Sequence, residues 1–387
     1  MKLPVVELKK GREKPLEWRH PWVFSGAVQR VESGIKAGDL VEVRDSLGNA
    51  RGLALYGAKT IALKFLTFGE GPIDSSFFRG RFERALAVRR AAGLLTLDDT
   101  NCFRLFFGES DGVPGLIIDR YNEAIVFQIQ EPGLLPFEEL IVAAIREAYP
   151  QFTKTLYHKK AEGEGIFYEG TNGEGEVSES GMRLLVNWVT GQKTGFFLDQ
   201  RENRSLLRRY VYRKRVLNCF CYTGGFSISA LAGGAERVVS VDSSDVALQI
   251  LEQNVIKAGK AEHSEAVKAD VFHYLENLKE EFDLIIVDPP AFVKHRDALE
   301  RGLKGYRQLN IFAFEKVKTP GIVFTFSCSQ QVSRADFKRV VSEAAVAAKK
   351  KVSILHELHQ APCHPVALAF PESEYLKGYV LRVEDYD

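Results

Sequence analysis

The sequence predicts an α/β protein: a C-terminal doubly wound, seven-stranded, Rossmann-like sheet, preceded by a small N-terminal β-barrel and a central α+β segment. Three observations predict this. The first 70 residues read as short strands broken by turn signals, "WVFSGAVQRVE", "DLVEVRD" up to the turn at Ser46-Leu47-Gly48-Asn49, "ARGLALYG" and "TIALKFLTF". From Cys102 to about Val186, strand patterns ("GLIIDRYN", "AIVFQIQ", "TKTLYH", "GIFYEG", "MRLLVNW") flank one helix, "LLPFEELIVAAIREAY". After Tyr212 strand and helix alternate strictly.

Each part has its punctuation. The stretch Phe77 to Leu95, "FFRGRFERALAVRRAAGLL", carries apolar residues at helical intervals among many arginines, and predicts an amphipathic helix that marks a change of domain. The Gly- and Glu-rich stretch "AEGEGIFYEGTNGEGEVSESG" predicts exposed hairpin loops in its outer parts. The C-terminal strands are "RVLNCF", "RVVSVD", "AVKAD", "FDLIIVD" and "GIVFTFS", interleaved with five helices from "GGFSISALAGG" to "RADFKRVVSEAAVAAKK". Such βα units predict a parallel sheet with helices on both faces. Two further strands, "KVSILHELHQ" and "YLKGYVLRVE", follow without an intervening helix and predict an antiparallel hairpin at one edge. That is the layout of class I methyltransferases.

Composition narrows the class. A length of 387 residues suits two or three domains, and 45% hydrophobic with 27% charged residues is the balance of a folded chain, far from disorder. No apolar run approaches the roughly 18 residues of a membrane span, and the N-terminus lacks a secretory h-region, so a cytoplasmic protein without a membrane partner is expected. Five scattered cysteines, an odd number, argue for thiols rather than a disulfide framework. "NCFCYT" is Cys-x-Cys with no second pair at ligand spacing, so no metal site is expected. A net charge of +1 leaves a nucleic-acid partner open, because electrostatic footprints are local. The clusters "LRRYVYRKR", "KKGREK", "HKK", "KHR" and "KKK" each read first as solvated faces.

In an open α/β sheet, ligands bind beyond the carboxyl ends of the strands, so the residues after each strand carry the chemistry. The first strand ends in "NCFCYTGGFS", where Thr223-Gly224-Gly225 can turn a helix N-terminus toward a ligand; a plain glycine turn is as good an account. No Gly-x-Gly-x-x-Gly is present, which weighs against a dinucleotide site. The second strand ends at Asp242, suited to accept both hydroxyls of a ribose. The third ends at Asp270, either an adenine contact or an N-cap. The fourth ends in Asp288-Pro289-Pro290-Ala291-Phe292, a stiff loop that holds Asp288 after five apolar residues. The fifth ends in Ser327-Cys328-Ser329, followed by Gln330-Gln331. Consecutive units lie side by side, so Cys328 is expected next to Asp288, in a polar setting that suits a reactive thiol as well as a core filler. One reaction needs that pair. A thiolate adding to carbon 6 of cytosine, with a carboxyl group donating to N3, makes carbon 5 nucleophilic enough to take a methyl group. No residue stands out as the base that then removes the carbon 5 proton.

With these residues in view, the chain resembles the RlmI-type bacterial 23S rRNA cytosine-C5 methyltransferases, nearly end to end. The resemblance rests on "HPWVFSGA" (His20 to Ala27), "ESDGVPGLIIDRY" (Glu109 to Tyr121), "QKTGFFLDQRENR" (Gln192 to Arg204), "RVLNCFCYTGGFSISAL" (Arg215 to Leu231), "VVSVDSS", "VDPPAF", "TFSCS" and "FPESEYLKGYVLRV". It implies a PUA-like RNA-binding domain at 1–72, an EEHEE-like α+β domain at 73–187 and a methyltransferase domain at 188–387 that uses S-adenosylmethionine. It further implies that Phe196, Asp199, Gln200 and Arg201 close over the cofactor, and that Phe220, Tyr222, Thr223 and Gly224 form its methionine-side loop. Asp242 would accept the ribose, Asp270 contact the adenine, Asp288 hold the target base and Cys328 act as nucleophile. The implied partner is 23S rRNA, naked or in an assembling large subunit; a homodimer is left open. The chain departs from the family pattern at Ala291, where Lys is common, and at Pro362-Cys363, where Ala-Asp is usual.

Related RNA methyltransferases that act on a base nitrogen, guanine for instance, share an Asp/Asn-Pro-Pro-aromatic motif without the cysteine. Cys328 therefore separates the two enzymatic readings. A third reading, an RNA-binding assembly factor without turnover, is opposed by the intact cofactor motifs.

Overall fold

The computed structural model describes residues 3–386 and divides them into two compact units. The first comprises the chain to Gly173 with Trp188–Thr190 and Pro362–Ser373; the second comprises Glu174–Asn187, Gly191–Ala361 and the chain from Glu374 onward.

In the first unit, strands Val5–Leu8, Trp22–Phe24, Val28–Val31, Leu40–Arg44, Ala50–Tyr56 and Ile61–Thr67 form one six-stranded sheet. Alternation buries Val6, Leu8, Val41, Val43, Leu63 and Phe65 together on its inner side. The turn after Leu40–Arg44 is held by Asp45, whose carboxylate accepts from the backbone N–H of Leu47 and of Asn49, both at 2.9 Å. A second sheet orders Ile166–Glu169, Thr155–His158, Ala124–Ile129, Leu116–Tyr121 and Cys102–Phe107, with helices Ser75–Ala91 and Glu138–Ala148 packed on each other. The first of these is the helix expected at Phe77 to Leu95, but its arginines are not all solvated. Arg89 is fully buried; it pairs with Asp111 at 2.7 Å and donates to the carbonyls of Arg104 at 2.9 Å and Cys363 at 2.8 Å.

The second unit carries a seven-stranded sheet of β1 (Arg215–Cys219), β2 (Arg237–Asp242), β3 (Ser264–Lys268), β4 (Phe282–Val287), β5 (Val317–Ser327), β6 (Lys350–His359) and β7 (Lys377–Asp385). Its order is β3-β2-β1-β4-β5-β7-β6. The first five strands pair in parallel, while β7 runs antiparallel between β5 and β6, so the expected edge hairpin is present with the last strand on its inner side. The helices are α1 (Arg201–Leu207), α2 (Gly225–Ala232), α3 (Asp245–Lys257), α4 (Val271–Asn277), α5 (Leu299–Lys316) and α6 (Arg334–Ala347). Side-chain caps start three of them: Ser244 accepts from Ala247 N, Asp270 from His273 N and Ser333 from Asp336 N. Leu217, Cys219, Ile285, Val287 and Val323 are buried on one face of the sheet and Val216, Val238, Leu284 and Ile286 on the other, as parallel strands require.

The Gly- and Glu-rich stretch departs from the loop expected of it. Glu174–Glu179 is a strand paired with Met182–Asn187, and Glu179 is fully buried. Its charge is compensated by Arg204, a partner distant in sequence that local composition does not reveal. Among the described residues no helix is long and apolar enough to cross a membrane.

Candidate active site

The reversal of strand order falls between β1 and β4, and an open cavity lies at the carboxyl ends of these strands. Its wall is built from four strand ends and one further segment. The loop after β1 contributes Phe220 and Tyr222, the ends of β2 and β4 contribute Asp242 and Asp288, and the end of β5 contributes Cys328. The segment before α1 adds Lys193, Phe196, Asp199 and Gln200.

The loop after β1 is bent by positive φ at three successive-but-one positions, Phe220 at 59°, Tyr222 at 49° and Gly224 at 84°. Only the last is a glycine, so the first two need outside support. Asp242 provides it, its Oδ2 accepting from Tyr222 N at 2.9 Å while Oδ1 accepts from Ser244 N at 2.9 Å. The Tyr222 hydroxyl in turn accepts from Gln192 N at 2.8 Å and donates to Gly195 O at 3.1 Å, and its ring meets Phe197 edge-on. One tyrosine thus ties the segment before α1 to the β1 loop.

That segment has a second anchor. Arg204 and Glu179 form a buried two-point pair with both N–O distances 2.6 Å. The remaining Nη1 of Arg204 donates to Phe197 O at 2.9 Å, and the guanidinium lies 4.5 Å from the centre of the Phe196 ring. Gly225 leaves room for this stack, since a Cβ there would stand 2.9 Å from Phe196 Cζ.

Asp288 and Cys328 leave adjacent parallel strands. Asp288 Oδ2 accepts from Gln200 Nε2 at 3.0 Å; Gln200 Oε1 accepts from Asn203 Nδ2 at 2.6 Å, and Asn203 also donates to His359 O at 3.1 Å. Burial, reinforced by the charge of Asp199, raises the Asp288 carboxyl to about 7. The acid therefore keeps a proton close to neutral pH. Burial also pushes the Cys328 thiol up to about 11, with Lys193 pulling it down and the charges of Asp288 and Asp199 pushing further up. Asp199 accepts from the Tyr375 hydroxyl, and Lys193 lies 3.8 Å from it. Ser329 joins the two loops: its Oγ accepts from Val293 N at 3.1 Å and shares a hydrogen bond with the Tyr306 hydroxyl at 2.8 Å.

Of the residues singled out from the sequence, Phe196, Asp199, Gln200, Phe220, Tyr222, Asp242, Asp288 and Cys328 line this cavity. Arg201 is buried in α1 beside Glu202, and Thr223 and Gly224 sit in the turn behind the wall. Asp270 stands apart from the lining, its Oδ1 accepting from His273 N at 2.9 Å as the cap of α4. Sequence reasoning missed Arg204, which lay in a quoted motif without a role, and Glu179, Asn203, Lys377 and Tyr375. Cys363 is buried in the first unit with Sγ 3.2 Å from His364 Nδ1.

A carboxylate at the end of the second strand, a strained loop after the first and a 3-2-1-4-5-7-6 sheet define a methyltransferase of the class that uses S-adenosylmethionine. The family profile described as S-adenosylmethionine-dependent methyltransferase matches residues 155–365, and one described as a PUA-like domain matches 6–68. The chain is 40% identical over 393 residues to ribosomal RNA large subunit methyltransferase I of Escherichia coli (strain SMS-3-5 / SECEC), covering 97% of this chain and 98% of that protein. It is 39% identical over 396 residues to the protein of that name in Salmonella arizonae, covering 98% of each. The chain belongs to the ribosomal RNA large subunit methyltransferase I family. Its fold is that of a Streptococcus mutans protein described as a SAM-dependent methyltransferase, with TM-score 0.87 and 23% identity over 99% of this chain and 100% of that one.

The residues present fit S-adenosylmethionine. Aromatic rings from Phe196, Phe220 and Phe226 and carboxylates from Asp199 and Asp242 line one space, a setting that favours a sulfonium cation over a neutral ligand. When bound, the cofactor supplies an electrophilic methyl group.

Proposed function

We propose that the protein methylates carbon 5 of a cytosine in 23S rRNA through a covalent adduct between Cys328 and carbon 6. The observation that carries this reading is the pairing of a thiol with an acid that keeps its proton near neutral pH, at adjacent strand ends in one cavity. In this scheme Phe196, Asp199, Gln200, Phe220, Tyr222 and Asp242 hold the cofactor, with Asp242 toward the ribose, while Arg201, Thr223 and Gly224 shape the turns behind them. Asp270 caps α4 through Oδ1, which leaves Oδ2 as the oxygen to meet the adenine in this scheme.

The Cys328 thiol gives its proton to solvent and its thiolate forms the S–C6 bond, while the Asp288 carboxyl gives its proton to N3 as the ring's electron pair moves toward carbon 5. Carbon 5 takes the methyl group that a bound cofactor would supply, the donor's S–CH3 bond electrons staying on a neutral thioether that leaves. The carbon 5 proton then passes to solvent water, its electron pair restores the C5–C6 double bond, the S–C6 bond breaks toward sulfur to return the thiolate, and N3 returns its proton to Asp288. The PUA-like segment at 6–68 suits recognition of folded RNA through shape and phosphate contacts. The target base must leave its stack to reach the cavity, at a cost of a few kcal/mol.

One observation favours methylation of a base nitrogen instead, namely a thiol that burial holds protonated up to about 11. Methyl transfer to rRNA carrying tritium at carbon 5 of cytosine separates the two. Tritium release that disappears in Cys328→Ala is the expected result. Full methylation by Cys328→Ala sinks the adduct.

A further inference from the structure

Lys377 opens β7 and is paired in register with Ser327 on β5, the residue before the candidate nucleophile. Its side chain turns to the other side of the same cysteine: Nζ donates to the carbonyl of Ser329 at 2.7 Å and to that of Val332 at 2.6 Å. One residue thus brackets Cys328, by backbone pairing on one side and by its ammonium on the other. Lys377 is only 4% exposed, and these two partners are backbone carbonyls, which carry no full negative charge. A buried ammonium held in this way is costly, and the cost makes sense where a charge is needed nearby.

We propose that Lys377 is the positioning residue of the nucleophile, fixing the turn Ser329–Val332 and placing its ammonium beside Cys328 at neutral pH as the thiolate forms. The proposal rests on the reading of Cys328 as nucleophile. Ser329 is the mechanical link, since its carbonyl receives Lys377 while its hydroxyl receives Val293 N from the loop that follows Asp288. A shift of this turn therefore moves both reacting groups. Burial lowers the Lys377 ammonium to about 8, and the Cys328 charge acts against that fall, with Arg334 and Glu374 the other charges facing it. Cys328 itself faces Lys193, Asp288 and Asp199. Lys193, about half exposed, adds a charge that solvent screens in part; the charge of Lys377 is buried and screened less.

The test is the pH profile of Cys328 alkylation by iodoacetamide in the full-length protein, followed on the Cys328 peptide by mass spectrometry, with kcat and KM for S-adenosylmethionine measured alongside. Lys377→Met removes charge and donors, Lys377→Gln keeps a donor without charge, and Lys377→Arg keeps the charge. At pH 7, below the Lys377 value of about 8 and so with its ammonium charged, the alkylation rate is expected to fall about tenfold in the Met and Gln variants and to stay near wild type in Arg. In the two uncharged variants kcat is expected to fall about tenfold or more while KM stays within about twofold. A folded Met or Gln variant with the wild-type alkylation rate at pH 7 overturns the proposal. Failure of both to fold, with Arg folding, also overturns it, because the charge then serves the fold alone. Alkylation needs no RNA, so its outcome is independent of the tritium experiment: full methylation by Cys328→Ala removes the adduct mechanism whatever the alkylation profile shows.

Discussion

Replacing Glu179 by alanine leaves Arg204 buried with its charge uncompensated. The wild-type pair makes two charge-assisted bonds, both 2.6 Å, between side chains that are 0% and 2% exposed. At about 1.5–3 kcal/mol per bond to a charged group, their loss has an upper range of about 3–6 kcal/mol. Arg204 retains its bond to Phe197 O and its place over Phe196, which moderates the loss to about 4 kcal/mol, inside the roughly 3–5 kcal/mol typical of breaking one side of a buried pair. For a unit of this size the change corresponds to a melting temperature lower by about 10 °C, read by calorimetry on the full chain. Glu179→Gln, which keeps one acceptor oxygen, should cost about half as much. Because Arg204 also holds Phe196 and Phe197 at the cavity wall, S-adenosylmethionine should bind more weakly in both variants by titration calorimetry. Glu179→Leu with Arg204→Met should recover most of the stability but not the affinity, since an apolar pair removes the desolvation cost without rebuilding the wall. A Glu179→Ala protein within about 1 kcal/mol of wild type would refute the reasoning.

Two further outcomes follow from the same geometry. Asp288 binds its proton more tightly in the folded chain, at about 7, than the ordinary 3.8 of an unfolded carboxyl, so its contribution is full below the lower value and lost as pH rises through the higher. Urea unfolding should show stability declining from about pH 4 through pH 7, with this component absent in Asp288→Asn; an unchanged slope in the variant contradicts it. Gly225→Ala places a methyl 2.9 Å from Phe196 Cζ and 3.2 Å from Arg204 Cδ, so the stack must shift; stability should fall by about 1–3 kcal/mol and cofactor affinity with it, and wild-type affinity would show that Phe196 has room to move.

How much of this was legible in the sequence depends on the range of the interaction. The five βα units were legible because burial on two faces leaves runs such as Leu284–Val287 with no polar residue, and the strand-end residues follow from that grammar. Asp288 lies one step beyond such a run, Asp242 closes β2 and Cys328 directly follows β5, which is why strand ends alone point to them. Glu174–Glu179 was read as loop because its glycines and carboxylates match turn chemistry. What overrides that composition is Arg204, a partner 25 residues away, and no local pattern carries it. Arg89 hides for the same reason, its partners Asp111 and Cys363 lying 22 and 274 residues away. Asp270 illustrates the opposite limit. Its position after a strand permits two roles, and the observed hydrogen bond to His273 N satisfies the local one.

The residues the sequence did not mark share a physical character that bears on how the site works. Glu179, Asn203, Arg204 and Lys377 are all buried, and each ties a strand-end loop to another segment through charge-assisted or amide hydrogen bonds. Strand ends place a carboxylate or a thiol only to within the freedom of a loop, whereas chemistry between two such groups tolerates far less. The Asp288 loop is narrowed by Gln200 through Asn203 to the backbone of His359; the Cys328 loop by Lys377; and the two loops are joined at Ser329. Loss of the Asn203 or Lys377 tie should therefore reduce turnover more than binding, since Asp242 and Phe220, which we propose meet the cofactor, belong to other strands. Asn203→Ala tests this at a residue outside the cavity lining: it cuts the tie from Gln200 to the backbone of His359, and because Gln200 is also placed at the cofactor, kcat is expected to fall about tenfold or more with a smaller, roughly threefold, rise in KM for S-adenosylmethionine, whereas a rise in KM equal to the fall in kcat would place the whole defect in cofactor binding.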